Sequence, residues 1–408
     1  MTDASSGGAL DGLVVLDLTR ILAGPTATQL LGDLGADVIK VENPATGGDD
    51  TRQWGPVFVR GPDGERTDLS TYFMCANRNK RSVAVDIAAP EGQDAIRALA
   101  ARADVVVENF KPGGLARYGL DHATLMAAHP RLVWCSITGF GQTGPNAHLP
   151  GYDLMAQGHG GIMSLTGPED GAPHKVGVGI ADVMCGMYAA TGILAALRHR
   201  DRTGQGQHID VALVDSQMAW LINEGTAYLE SGALPARRGN AHPSIVPYQL
   251  FEVADGHVLV AVGNDAQFRR FAAFLGADWP ADPRFATNPA RLEHRGALIP
   301  LIEVALAPLT RQAVIDGLEA AGVPVGPVND IGQALGSDQA AARGAVAVLP
   351  TDDAASGEVR LLANPLKLSA TPVTYRRAPP RCGAHTAELP ETRALAAGNA
   401  GANGERSP

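Results

Sequence analysis

Along the first 140 residues the apolar positions fall in short runs, separated by stretches of helical spacing. Residues 13–18 (LVVLDL) form a run that predicts a buried strand. Residues 24–34 (GPTATQLLGDL) have helical periodicity, with Pro25 suited to a first turn and Gly35 closing the helix. Residues 36–41 (ADVIKV) predict a second strand. Such a β-α-β unit implies a right-handed crossover and a parallel sheet. The pattern repeats as a strand at 82–86, a helix at 91–103 and a strand at 105–108, and 131–137 (RLVWCSI) supplies one more strand. The fold class is therefore α/β, built on an open, Rossmann-like parallel sheet.

Beyond residue 139 the pattern changes. Residues 139–179 are rich in Gly and Pro with little periodicity, and a long irregular stretch inside an enzyme is more often functional than idle. Helices are predicted at 180–200 and 209–221, followed by a Gly/Pro/Arg-rich crossing segment at 224–247. A strand at 258–262 and helices at 265–275 and 298–321 read as a smaller α+β domain. From about residue 329 the chain returns to the first domain. The expected organisation is a large domain at 1–222, a small domain with linkers at 223–330, a return to the large domain at 331–395, and a disordered tail at 396–408.

Composition narrows the function. Thirty-three Lys and Arg against 43 Asp and Glu give a net charge of −10, which argues against a nucleic-acid partner. Four scattered cysteines without a CxxC pair predict neither a disulfide frame nor a metal site. The first ten residues lack a basic segment of the secretory kind, and the longest apolar stretch, 181–197, contains Asp182 and falls short of a ~20-residue span. The expectation is a cytoplasmic protein with no membrane partner.

Several motifs are absent. TRILAGP at 19–25 is not the GxGxxG turn of a nicotinamide site, and Ser164 in GIMSLTG lacks the nucleophile elbow of a hydrolase. What remains are carboxylates in unusual surroundings. Asp182, in VGVGIADVMCGMYAATG, sits where a small-residue loop runs into an apolar helix. It reads either as an N-cap or as a catalytic carboxylate beside backbone N–H groups able to stabilise an oxyanion. Asp153, in LPGYDLMAQGHGG, reads as a second such carboxylate or as an Asx turn, and His159 as an acid–base group or a solvated side chain. Asn109, Phe110, Lys111 and Arg117 follow a predicted strand, at the sheet edge where open α/β folds bind ligands, and read either as a site for an adenine nucleotide with phosphates or as an ordinary solvated loop.

At these positions the sequence resembles the class III CoA-transferases, a family that includes formyl-CoA transferase, carnitine CoA-transferase and the 2-methylacyl-CoA racemases. The likeness is carried in order by LDLTRILAGP, LGADVIKVENP, NRNKRSVAVD, VENFKPG, SITGFGQTGP, GYD and VGIADVMCGMYAATGILAAL. The resemblance implies an aspartate nucleophile at Asp182. It implies CoA-binding segments at Leu22–Ala23, Val85–Asp86–Ile87, Asn109–Phe110–Lys111 and Arg117, and an active-site loop reaching Tyr152 and Asp153. It further implies an interlocked dimer, acyl-CoA and a small carboxylic acid as substrates, and no tightly bound cofactor or metal.

Two departures bear on specificity. Residues 239–246 (GNAHPSIV) replace the glycine-rich lid of formyl-CoA transferase, and Tyr152 stands where the racemases carry a histidine. GGDDTRQWGP, AHPSIVPYQLF and GVPVGPVNDI resemble the succinyl-CoA-dependent dicarboxylate transferases. Arg237 and Arg238 are candidate clamps for a second carboxylate, or two exposed arginines in a connecting segment.

Overall fold

A computed structural model describes residues 7–396; the expected tail lies outside them except for Ala396. In chain order come β1 (Val14–Asp17), α1 (Ala23–Asp33), β2 (Asp37–Glu42), β3 (Phe58–Arg60), β4 (Arg66–Ser70), α2 (Thr71–Met74) and β5 (Lys80–Ala84). Next are α3 (Pro90–Arg102), β6 (Val105–Glu108), α4 (His122–Ala128), β7 (Val133–Thr138), α5 (Asp153–His159) and α6 (Ile180–Thr203). Then follow β8 (His208–Ala212), α7 (Leu213–Ala219), α8 (Ile222–Ser231), β9 (Tyr248–Val253), β10 (Gly256–Ala261) and α9 (Asp265–Phe274). The order ends with α10 (Asn288–Glu293), α11 (Arg295–Leu306), α12 (Arg311–Ala320), β11 (Val325–Pro327), α13 (Ile331–Leu335), α14 (Asp338–Ala342), β12 (Val346–Pro350) and β13 (Glu358–Leu362).

The chain divides into two compact units. One contains residues up to Ile162, 175–232 and those from Gln339 on; the other contains Met163–His174 and Ala233–Asp338. The divisions thus fall at 232 and 339, against the expected 222 and 330, and residues 163–174 join the second unit.

In the first unit six strands form an all-parallel sheet in the order β5-β2-β1-β6-β7-β8. Alternate residues of each strand feed opposite faces. Val15, Val105, Val107, Val133 and Cys135 pack under α1 and α6, while Leu16, Val106 and Trp134 face α3. A sheet covered on both faces needs continuous apolar runs, which explains why these strands were legible.

The expected helix at 209–221 is instead β8 followed by α7. Ile209 and Val211 stand beside Cys135 and Ile137 of β7, so a period of two overrides a short apolar run that also suits a helix. The irregular stretch 139–179 holds α5, the crossing segment 224–247 falls partly within α8, and the region 298–321 is split between α11 and α12. Helix α6 runs 24 residues, Ile180–Thr203 against the 180–200 expected, and is long and apolar enough by composition to cross a membrane. Ala181, Cys185, Ala189, Ile193 and Ala196 on one side of it are nevertheless buried against the sheet.

Buried ion pairs tie the sheet edge together. Lys80 Nζ lies 3.1 Å from Asp17 and Lys40 Nζ 2.9 Å from Asp49, all four side chains fully buried. Burial pushes the Asp17 carboxyl up, but Lys80, Lys40 and the Thr19 and Thr28 hydroxyls outweigh it and hold it down at about 2. The last part of the chain packs on the same edge. Arg376 donates to the carbonyls of Gly32, Gly35 and Ala36, and Thr386 Oγ1 accepts the Ala84 N–H.

In the second unit β9, β10 and β11 form an antiparallel sheet packed against α9, α11 and α12 around Phe268, Phe271 and Phe285.

Candidate active site

The strand order reverses direction between β1 and β6, the switch point at which doubly wound sheets leave a crevice beyond their carboxyl ends. Two cavities open there. The larger, of about 250 Å³, is lined by Leu18, Arg20, Lys40, Val85, Asp86, Ile87, Phe110 and Arg117 among others. The smaller is walled by Ile21 and Ala23 after β1, Asn109 to Pro112 after β6, Thr138 and Gly139 at the end of β7, and Gly151, Tyr152 and Asp182. Arg20 and Phe110 line both.

Asp182 is the third residue of α6. The N-cap is Gly179, which has no side chain to cap the helix. Of the two readings of Asp182, the capping one fails. That task passes to Asp153, the first residue of α5, whose carboxylate accepts the Ala181 N–H at 2.8 Å and the Gln157 side-chain N–H at 2.7 Å. Gln157 in turn accepts the Val176 N–H at 2.9 Å. Asp153 is therefore no local Asx turn: it joins two helices across 28 residues and holds the first turn of α6.

Asp182 is only 8% exposed. Burial, and after it the charge of Asp153, pushes its carboxyl up to about 7. Among the described residues no Lys, Arg or His forms an ion pair with it. Asp182 is thus a buried carboxylate with a raised pKa on the lining of an open cavity, the combination that marks a candidate functional group. Two glycines of the same lining lie in close approach. A Cβ on Gly139 would lie 2.4 Å from the Gly151 Cα, and one on Gly151 would lie 2.2 Å from the Gly139 Cα.

The other expected residues are distributed as follows. Val85, Asp86, Ile87 and Arg117 line the larger cavity, Ala23, Asn109 and Lys111 the smaller. Leu22 is the N-cap of α1, lies near Gly179 and is not part of the lining of either cavity. Asn109 uses both ends of its amide on the backbone of Arg20. Tyr152 is exposed on the wall of the Asp182 cavity. His159 stands edge-on to Phe140 at the far end of α5, outside the lining of either cavity. Arg237 is engaged in the second unit by the carbonyls of Pro168 and Gly171, and Arg238 donates to that of Ala236. Among the described residues no cluster of His, Cys, Asp or Glu is arranged to hold a metal.

Arg20, Ile21 and Tyr72 were not singled out from sequence. The first two lie in TRILAGP, a segment legible only as a failed dinucleotide turn. Burial, and then the charges of Asp182, Cys75, Asp153 and Asp49, raise the half-buried Tyr72 phenol to about 12.

The profile of CoA-transferase family III matches residues 10–386. A succinate–glutarate CoA-transferase of Agrobacterium fabrum is 47% identical over 381 residues, 93% of this chain and 94% of that protein. A succinyl-CoA:glutarate CoA-transferase of Mus musculus is 39% identical over 95% of this chain and 87% of its own. The crystal structure of a CaiB/BaiF family protein from Brucella suis, 45% identical, superposes with a TM-score of 0.83 over 96% of this chain and all of its own. With the whole length from the first strand to the returning C-terminal segment matched, this chain belongs to CoA-transferase family III.

Proposed function

We propose that the protein moves coenzyme A from succinyl-CoA to a dicarboxylic acid, glutarate first among them, with Asp182 as the covalent carrier. The observation that carries this reading is Asp182 itself, buried, raised toward neutrality and open to a cavity at the switch point of the sheet. The substrates follow from the A. fabrum and mouse relatives, both named for glutarate.

The chemistry asks for a carboxylate because the acceptor is itself a carboxylic acid. Asp182 attacks the succinyl thioester carbonyl, expelling CoA thiolate and leaving an aspartyl–succinyl anhydride. The thiolate attacks the aspartyl carbonyl, releasing succinate and forming an aspartyl-CoA thioester. The acceptor carboxylate attacks that thioester and expels the thiolate. Attack of the thiolate on the acceptor's acyl carbonyl then restores Asp182. One thioester is exchanged for another, so no ATP is consumed. The larger cavity, with Val85, Asp86, Ile87, Phe110 and Arg117, suits the nucleotide end of CoA, while Lys111, Ala23 and Tyr152 face the reacting end. Backbone N–H groups directed at the tetrahedral oxyanions would each lower the barrier by roughly 2.7–4 kcal/mol.

Tyr152 and Asp153 also weigh against a racemase. The histidine that serves there as a second acid–base group is absent, and Asp153 is engaged by Ala181 and Gln157. We further read the chain as a cytoplasmic, interlocked homodimer. Four free cysteines suit a reducing compartment, and an outward apolar stripe on α6 (Met187, Tyr188, Leu194) suits a partner copy.

The test incubates the enzyme with succinyl-CoA and a panel of dicarboxylates, and follows new acyl-CoA masses. Transfer to glutarate that disappears in Asp182→Ala, with CoA binding retained, is the expected result. Near-normal turnover by Asp182→Ala would refute the assignment. Deuterium uptake into 2-methylacyl-CoA with no transfer would establish the racemase.

A further inference from the structure

We propose that Asn109 is a positioning residue. Together with Asp49 it locks Arg20 and Ile21 against the Asp182 cavity in a backbone conformation that the segment would not adopt alone.

The resemblance makes Asn109 a CoA ligand, but its amide is turned toward the chain. Nδ2 donates to the Arg20 carbonyl at 2.7 Å, and Oδ1 accepts the Arg20 N–H at 3.0 Å. Both polar groups of one peptide-bearing residue are thus held by a single side chain 89 positions away. The next residue, Ile21, has φ +73°, the left-handed region that a β-branched side chain avoids. Its N–H points between the two carboxylate oxygens of Asp49, at 3.2 and 3.3 Å. Asp49 is itself fixed: it pairs with buried Lys40, accepts from the N–H and hydroxyl of Thr51, and donates its own N–H to Glu42.

A strained residue persists only where its surroundings over-determine it, and such strain collects at functional sites. Here both clamped residues lie on cavity linings. Arg20 lines both, and Ile21 lines the one containing Asp182. Released, Ile21 relaxes to an extended or helical φ and carries the Arg20 backbone off the wall. The larger cavity keeps its own lining at Val85, Ile87 and Arg117. Coenzyme A would therefore still bind, while the thioester would no longer be aligned on Asp182. Loss of alignment appears in the chemical step, and loss of a ligand contact appears in affinity.

The inference rests on the transferase reading, so its test has one arm that does not. In Asn109→Ala, a single turnover with saturating succinyl-CoA should load Asp182 at least tenfold more slowly, with the Kd for free CoA changed less than threefold. Asn109→Asp, which keeps the acceptor but sets a carboxylate oxygen against the Arg20 carbonyl, should behave alike. Adding Ile21→Gly to Asn109→Ala should recover threefold or more of the lost rate, because glycine adopts φ +73° without strain. Amide exchange followed by mass spectrometry over residues 19–24 should quicken in Asn109→Ala. A tenfold rise in Kd with an unchanged loading rate would make Asn109 a ligand and overturn the proposal. So would normal loading with quickened exchange, which would leave the clamp without catalytic consequence. No loading by the unmodified enzyme would defeat the transferase reading alone; slow exchange over 19–24 that quickens in Asn109→Ala would still establish the clamp.

Discussion

Asp182 and Asp153 are both carboxylates at a helix start, yet their surroundings give them different work. Asp153 accepts two N–H groups, whereas burial and the neighbouring charge leave Asp182 raised to about 7. An acid raised on folding keeps its proton after the unfolded chain has lost its own, so stability falls as pH climbs from near 4 through 7. At 1.36 kcal/mol per unit, the ionised side chain destabilises the fold by on the order of 4 kcal/mol above neutrality. Asp182→Asn should therefore raise the melting temperature more at pH 8 than at pH 5. Equal gains at the two pH values would show that charge is not the cause. In the active enzyme, kcat/KM should decline as pH falls below about 7, because the protonated acid is no nucleophile. A flat profile between pH 6 and 8 would contradict this.

At the scale of elements, the site depends on how closely two helix starts approach. Helix α1 begins at Ala23 on the cavity wall and α6 carries Asp182. Their contact passes through Gly186, where a Cβ would lie 2.6 Å from the Ala23 carbonyl oxygen and 3.0 Å from the Thr26 Cβ. A backbone oxygen cannot step aside as a flexible side chain would. Gly186→Ala must spread the helices, and overpacking of this kind costs about 1–3 kcal/mol. Urea denaturation should register that loss, and the turnover number should drop with it as Ala23 moves from Asp182. A variant as stable and as active as the parent would mean that the helix pair yields elsewhere.

At the scale of the whole molecule, α6 has apolar residues on two sides. Ala181, Cys185, Ala189 and Ile193 meet the sheet, while Met187, Tyr188 and Leu194 lie exposed at helical spacing. Ile222 and Leu229 of α8 are exposed as well. An interface between two copies would cover such a surface. Sedimentation should accordingly give twice the 42.3 kDa of one chain, and Leu194→Asp should shift the equilibrium toward the monomer. A parent that sediments as a monomer at micromolar concentration would dispose of the dimer.

Much of this architecture is determined locally. Strands buried on both faces of a parallel sheet are largely apolar runs, so β1, β2, β6 and β7 can be read directly even where β1 and β2 carry the buried, ion-paired Asp17 and Lys40, and Pro25 and Gly35 bracket α1. Asp182 stands out in sequence because a glycine-rich approach precedes a long apolar helix. Other features are decided only when distant segments meet. Residues 209–212 satisfy helix and strand patterns alike until Ile209 and Val211 lie against β7. Which of two carboxylates caps α6 depends on a contact between residues 28 apart, and the conformation of Ile21 depends on Asp49 and Asn109, 28 and 88 positions away. A residue's periodicity is written in its neighbours along the chain. Its hydrogen-bond partner, and with that its protonation and backbone strain, is set by neighbours in space.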